Sequence, residues 1–188
     1  MPYTETAQEE QLEISGFVND SIVDGPGLRF TVFGQGCPHH CKGCHNPQTW
    51  AFGAGERYTP QAVFEKIQAN SLVKGVTFSG GEPFAQCGGF AVLGQLLQKA
   101  GYEVACYTGY TFEQLLQMPA ALPLLKQLDV LVDGPFIEAQ KDLLLSFRGS
   151  ANQRILDVPK SLAAKEAVLY EGERWQGAPR YIPRHLKF

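Results

Sequence analysis

Short apolar, β-branched and aromatic runs alternate along this chain with stretches whose apolar residues recur every three or four positions. Leu28 to Phe33 (LRFTVF) reads as a buried strand, and residues 12–19 (LEISGFVN) as another, with a turn at Asp24-Gly25-Pro26-Gly27 between them. Thr59-Pro60 predicts a helix start, Thr as N-cap and Pro at the first helical position, with Ala62, Val63, Phe64 and Ile67 on the apolar side. A strand follows over Leu72 to Phe78, broken by Ser79-Gly80-Gly81-Glu82-Pro83, and then a helix over 88–99 carrying Phe90, Leu93, Leu96 and Leu97. Glu103 to Tyr107 predicts the next strand. Thr111 with Gln114 forms a capping-box start for a helix to 117, and Asp129 to Val132 predicts a further strand. Beyond 134 the pattern weakens: 151–158 reads as a strand, 160–170 as helix or strand, and the ending GAPRYIPRHLKF as an irregular tail.

Strand, helix, strand, helix, strand implies parallel pairing with helical crossovers, an α/β fold. In such folds ligands bind at the carboxyl ends of the strands. Each Gly-rich or polar motif of this chain falls at such an end, so four motifs are expected to converge on one mouth.

The length of 188 residues and mass of 20.7 kDa fit one domain over 1–188, with tails at 1–11 and about 176–188. Hydrophobic residues at 44% and charged residues at 19% argue against disorder. No apolar run approaches the roughly 18 residues of a membrane span, and the acidic start MPYTETAQEEQLE lacks the basic and apolar parts of a secretion signal. A cytoplasmic protein is expected, with no membrane partner. A net charge of −3 argues against a nucleic-acid partner. Residues 174–188 carry Arg174, Arg180, Arg184 and Lys187 without an acid, which reads as a solvated end with a docking role as the alternative.

Three of the five cysteines, Cys37, Cys41 and Cys44, sit together in GCPHHCKGCHNP. In a reducing compartment such a cluster points to metal binding rather than disulfides. Zinc could take the three thiolates plus His39, His40 or His45, although no second half-site exists. A 4Fe–4S cluster could take the three thiolates and leave one iron open, whereas an electron carrier normally uses four Cys. Spacing alone leaves zinc and iron–sulfur level. Cys87 and Cys106 fit no such pattern and are expected to be buried thiols.

The other strand-end residues have both ligand-binding and plain structural readings. Gly80 and Gly81 allow close backbone approach, and Glu82 offers a carboxylate to a ligand ammonium. Tyr107 or Tyr110 could lie on a flat ring or belong to the core. Asp133 could accept from a ligand hydroxyl or cap the next turn. Arg148 is a candidate anion contact.

CxxxCxxC followed by SGGEP resembles the radical S-adenosylmethionine superfamily. DGPGLRFTVFGQGCPHHCKGCHNPQTW, TFSGGEP, YTGYTFEQL, DVLVDGPF and FRGSANQRI resemble one branch of it, the activating proteins of the anaerobic (class III) ribonucleoside-triphosphate reductases. The matching stretches spread over about residues 12–156. The resemblance implies a partial (β/α) barrel in which Cys37, Cys41 and Cys44 ligate three irons of a 4Fe–4S cluster. The fourth iron would take the amino and carboxylate groups of S-adenosylmethionine. Gly43, Cys44, His45, Gly80, Gly81 and Glu82, with Tyr107 and Asp133, would bind that cofactor. Gly43 stands where the superfamily often has an aromatic residue and pyruvate formate-lyase activases usually have Tyr, which favours the reductase branch.

The implied chemistry is reductive cleavage of S-adenosylmethionine to methionine and a 5′-deoxyadenosyl radical, which removes hydrogen from a glycine of the partner reductase. A flavodoxin- or ferredoxin-like protein would donate the electron, and no side chain need act as acid or base. Rival readings are activation of another glycyl radical enzyme, a small-molecule radical reaction, and a non-catalytic zinc or iron–sulfur structural module.

Overall fold

A computed structural model of the chain describes residues 10–177. Of the two expected tails, 1–9 and 178–188 lie outside the described residues. Seven strands form one sheet: β1 (Leu12–Ser21), β2 (Arg29–Gly34), β3 (Glu56–Tyr58), β4 (Gly75–Gly80), β5 (Glu103–Tyr107), β6 (Val130–Asp133) and β7 (Arg154–Asp157). Their spatial order is β3-β1-β2-β4-β5-β6-β7. The inner four, β2, β4, β5 and β6, are parallel, in a register that aligns Arg29 with Gly75 and Gly34 with Gly80. The expected parallel pairing holds there and is corrected at both flanks, where β1, β3 and β7 run antiparallel. The turn between β1 and β2 is too short for a crossover, so those strands can only form a hairpin. The end strands β3 and β7 do not meet. The result is a mixed α/β fold, a β/α barrel left incomplete.

Six helices accompany the sheet among the described residues: α1 (Pro60–Gln68), α2 (Cys87–Lys99), α3 (Phe112–Leu116), α4 (Leu122–Leu125), α5 (Val158–Ala164) and α6 (Glu173–Gln176). The Thr59 hydroxyl accepts from the Ala62 N–H at 3.1 Å, starting α1 as expected. The capping box of α3 is complete in both directions, with Gln114 N–H to Thr111 Oγ1 at 3.3 Å and Thr111 N–H to Gln114 Oε1 at 2.8 Å.

Boundaries moved where local turns compete with strand pairing. β4 begins at Gly75 rather than 72, because Asn70 Oδ1 accepts from the Leu72 N–H at 3.1 Å and holds a turn there. The stretch 160–170 resolves into α5 and a returning segment, whose Leu169 bridges to Leu156. Nothing in the hydrophobic pattern marks β3, α4 or α6; each is too short to show a period.

The sheet has two unlike faces. Phe30, Val32, Val76, Phe78, Val104 and Cys106 point to the helical layer and form the main core with Val63, Ile67, Phe90, Leu93 and Leu97. The inner face is more polar. Arg29 is buried there, donating to Thr77 Oγ1 at 2.7 Å, Glu103 Oε1 at 2.6 Å and the Val76 carbonyl at 2.8 Å. Desolvation outweighs Glu103 and lowers the Arg29 pKa, yet every donor group of its fork has a partner. Trp175 of α6 closes this face, fully buried against Ala105, Val130, Val132 and Ile155, with the Arg29 guanidinium 5.3 Å from its ring centroid. Arg174 pairs with Glu103 at 3.0 Å. Of the basic C-terminal stretch, Arg174 is thus paired while still 63% exposed, and Arg180, Arg184 and Lys187 lie outside the described residues.

Candidate cofactor site

The carboxyl ends of β2, β4, β5 and β6 open on one cavity of about 500 Å³, within the range of cofactor sites. All four strand-end motifs reach it. The cysteine loop contributes Cys37, Cys41 and Cys44, and the later ends contribute Ser79–Gly81, Tyr107–Gly109 and Gly134.

The cysteine loop leaves β2 and is anchored at once. Gly36 N–H donates to the Thr49 carbonyl at 2.8 Å, and Cys37 N–H to the Trp50 carbonyl at 3.0 Å. Cys44 N–H donates to the Cys41 carbonyl at 3.1 Å, and the Cys44 sulfur accepts from the Asn46 N–H at 3.4 Å. All three thiols are free. Cys37 is buried, and desolvation pushes its thiol pKa up. Among the described residues no three His, Cys, Asp or Glu side chains converge on a point that one metal ion could occupy. Three soft thiolate donors on one cavity suit a cluster that takes one iron per thiolate. Of the histidines offered to zinc, His39 bonds Glu82 through Nε2, His40 packs against the Trp50 ring at 5.0 Å, and His45 against Phe136 at 5.1 Å.

The Gly80-Gly81-Glu82 turn is fastened to the start of that loop. Gly81 N–H donates to the Gly34 carbonyl and Glu82 N–H to the Gly36 carbonyl, both at 2.8 Å. Gly80 has φ +93°, and a Cβ there would lie 2.7 Å from Phe33 Cα. Only glycine permits both that backbone and that approach.

Glu82 does not line the cavity. Its carboxylate is 1% exposed and accepts from Phe84 N–H (3.0 Å), Thr108 Oγ1 (2.9 Å), Gly109 N–H (2.9 Å) and His39 Nε2 (2.8 Å). Where the sequence suggested a direct contact to a ligand ammonium, the carboxylate instead joins three segments of the chain. Asp133 also stands behind the wall, accepting from Phe112 N–H at 2.8 Å and pairing with Arg154, which grips Glu113 as well. The contacts of Asp133 are not the local turn cap that was one of its two readings: the carboxylate accepts from the first N–H of α3, upstream in the chain, and Gly134 faces the cavity.

Tyr107 lines the cavity, and its hydroxyl donates to the Phe147 carbonyl at 2.9 Å. Burial raises its phenol pKa. His45 lines the cavity, whereas Gly43, at φ +74°, sits beside Glu138. Tyr110 packs on His39 at 4.4 Å. Arg148 lines the cavity with a buried Nε that has no partner among the described residues. Cys106 is fully buried as expected; Cys87 is half-buried, its Sγ donating to the Phe84 carbonyl at 2.9 Å. Reading motifs alone missed Asp24 and Gln153, which also line the cavity. Asp24 Oδ2 accepts from Ser21 Oγ at 2.6 Å and Thr31 Oγ1 at 3.0 Å, and its only sequence signal was membership of a turn.

Comparison with known proteins agrees with this geometry. The model of a family described as a 4Fe-4S single cluster domain matches residues 23–156. The anaerobic ribonucleoside-triphosphate reductase-activating protein of Vibrio cholerae is 44% identical over 144 residues, covering 71% of this chain and 90% of that protein. Its counterpart in Escherichia coli K12 is 34% identical over 141 residues (70% and 90%), and that of phage T4 is 34% identical over 140 residues (71% and 86%). Among solved structures, QueE from Escherichia coli is similar at TM-score 0.45 and 20% identity, over 55% of this chain and 54% of that one. With three free thiols and three glycine-bearing strand ends on one cavity, and with relatives matched over nine-tenths of their length, the chain belongs to the 4Fe–4S single-cluster family and, within it, to the anaerobic ribonucleoside-triphosphate reductase-activating proteins.

Proposed function

We propose that this chain installs a glycyl radical on an anaerobic ribonucleoside-triphosphate reductase, using a 4Fe–4S cluster and S-adenosylmethionine. Cys37, Cys41 and Cys44 would each hold one iron, leaving the fourth to a ligand from outside the chain. When bound, the cluster supplies one electron to the sulfonium of S-adenosylmethionine, whose cleavage provides the radical that takes hydrogen from a glycine of the reductase. The chain's own part is to hold, orient and exclude water. Gly80 and Gly81 would let backbone come close to the bound S-adenosylmethionine. Tyr107 and His45, with Phe136 beside it, would offer its adenine aromatic neighbours where Gly43 has no side chain to give. Glu82 and Asp133 act from behind, holding the strand ends in place. No titratable side chain is required to move a proton.

The observation that carries this reading is the convergence of three thiols and three glycine-bearing strand ends on one cavity. A polypeptide substrate is supported by the cavity's mouth: Val23 and Leu143, both lining it, are 72% and 78% exposed, with Ile22 and Leu144 exposed beside them. Such an apolar rim suits a protein segment better than a charged small molecule. A flavodoxin- or ferredoxin-like donor would supply the electron, in a reducing cytoplasm that keeps the thiols free. No helix among the described residues is long and apolar enough to cross a membrane.

The test is anaerobic reconstitution with iron and sulfide, then reductant, S-adenosylmethionine and the cognate reductase. Expected are 5′-deoxyadenosine that disappears in Cys44→Ala and a glycyl radical signal on the reductase. Product without that signal would move the reading to another glycyl radical partner or a small-molecule substrate. No product from protein shown to carry its cluster, with the reductase present, would overturn it.

A further inference from the structure

Between Cys37 and Cys44 the loop depends on few fastenings. Among the described residues, apart from the local bond that Cys44 Sγ accepts from Asn46 N–H at 3.4 Å, its side chains make one buried and one exposed polar contact to the rest of the chain. The exposed one joins Lys42 Nζ to Glu138 at 3.1 Å, with Lys42 91% exposed, and such pairs contribute little. The buried one is His39 Nε2 to Glu82 Oε2 at 2.8 Å. A carboxylate only accepts, so His39 carries its proton on Nε2 there.

The same carboxylate also holds the ends of β4 and β5. Its Oε1 accepts from Phe84 N–H, its Oε2 from Gly109 N–H, and Thr108 Oγ1 lies within 3.0 Å of both oxygens. The imidazole reaches it by lying across Gly109. A Cβ on Gly109 would collide with His39 Cδ2 and Nε2, and Tyr110 closes the other side of the ring at 4.4 Å.

We propose that His39 is a positioning residue: its bond to Glu82 holds the cysteine loop against the ends of β4 and β5 before any cofactor is bound, and Gly109 is glycine to leave room for the imidazole. The role extends the cluster reading above, but it concerns the metal-free protein, so the two can fail separately.

The test is iodoacetamide labelling of the metal-free full chain under reducing, anaerobic conditions, resolved by mass spectrometry. The readout is the labelling rate of Cys37, which is 9% exposed on the cavity wall and should react faster when the loop opens. Cys106, fully buried in the sheet, reports opening of the whole fold. In His39→Ala, Cys37 should label about tenfold faster or more, the scale of losing one hydrogen bond to a buried charge, while Cys106 stays unchanged. Gly109→Ala should do the same with His39 intact, because its methyl displaces the ring. The double variant should be no faster than either single one, since both remove one interaction. His39→Gln, whose amide can donate to the same oxygen, should stay near the parent rate. The proposal is overturned if Gly109→Ala labels like the parent, or if Cys37 and Cys106 accelerate together. Should His39→Ala fail to fold, Gly109→Ala and His39→Gln carry the same comparison.

Discussion

Replacing Trp175 by alanine tests whether the last described turn of the chain is part of the core. The indole is fully buried on the inner face of the sheet. It meets Phe147 at 5.5 Å and Tyr170 at 6.5 Å between ring centroids, with Arg29 at 5.3 Å. Truncating a fully buried Trp to Ala costs about 3–5 kcal/mol. Two features modify that range. Arg29 keeps its bonds to Thr77, Glu103 and Val76, so no stranded charge adds to the loss. The indole Nε1–H has no partner among the described residues, so truncation also removes a poorly satisfied buried donor, which offsets about 1 kcal/mol. The net expectation is about 2–4 kcal/mol. At about 2–4 °C per kcal/mol for a chain of this size, the unfolding midpoint falls by about 4–16 °C. Urea unfolding and thermal melts of the metal-free protein measure it, and Trp175→Phe should fall between parent and Trp175→Ala. Because Phe147 both touches the indole and accepts from Tyr107, one wall of the cavity should loosen as well. A loss below about 1 kcal/mol would refute the placement of α6 on the sheet.

Three further outcomes follow from individual groups. The bond from Arg154 holds the Glu113 carboxyl down to about 2, below its ordinary 4.5; a depressed folded value stabilises above the ordinary one and is lost as pH falls from about 4.5 to about 2, so parent and Glu113→Gln should differ in urea midpoint at pH 6 and converge at pH 2. The effect should be small, since Glu113 is more than half exposed. Burial pushes the Cys87 thiol up from 9.0 to about 11, so its iodoacetamide labelling at pH 8 should be about a hundredfold slower than that of an unperturbed thiol and should rise through pH 10; rapid labelling at pH 8 would contradict its burial. Gly80→Ala must adopt a left-handed backbone costing about 1–2 kcal/mol while its methyl meets Phe33, and it should both lower the melting midpoint and abolish 5′-deoxyadenosine formation; unchanged product would show that the turn does not shape the site.

The parts legible in the sequence were those encoded locally. Thr59-Pro60, the Thr111–Gln114 box and the periodic Phe90, Leu93 and Leu97 announce helices within a few residues of themselves. The convergence of motifs also followed, because parallel strands put all their carboxyl ends on one side. What could not be read were partners set by tertiary packing. Glu82 looks like a ligand group beside two glycines, yet its contacts include His39, upstream of β4, and Thr108 and Gly109, beyond α2. Asp133 reads as a ligand or turn residue after a strand, yet it accepts from the first N–H of α3 and meets Arg154 across the antiparallel register of β6 and β7. Trp175 stands in a segment with no period at all, and its burial depends on the space left by the small and polar residues of the inner face.

The strand order has a consequence for how the protein keeps to itself. An open sheet has two edges, each able to pair with the edge of another molecule and begin an aggregate. Here the edge at β7 is occupied by the chain's own return, with Asp157 N–H donating to the Val168 carbonyl at 3.0 Å and Tyr170 N–H to the Ile155 carbonyl at 2.8 Å. On the opposite side β3 covers Leu12–Ile14 of β1; it is three residues long and reads Glu-Arg-Tyr, too short and too charged to template a partner strand. Both protections lie in the backbone and in surface charge, away from the cavity. At β7 and β3 the chain should therefore resist edge-to-edge association equally well with its cofactors or without them.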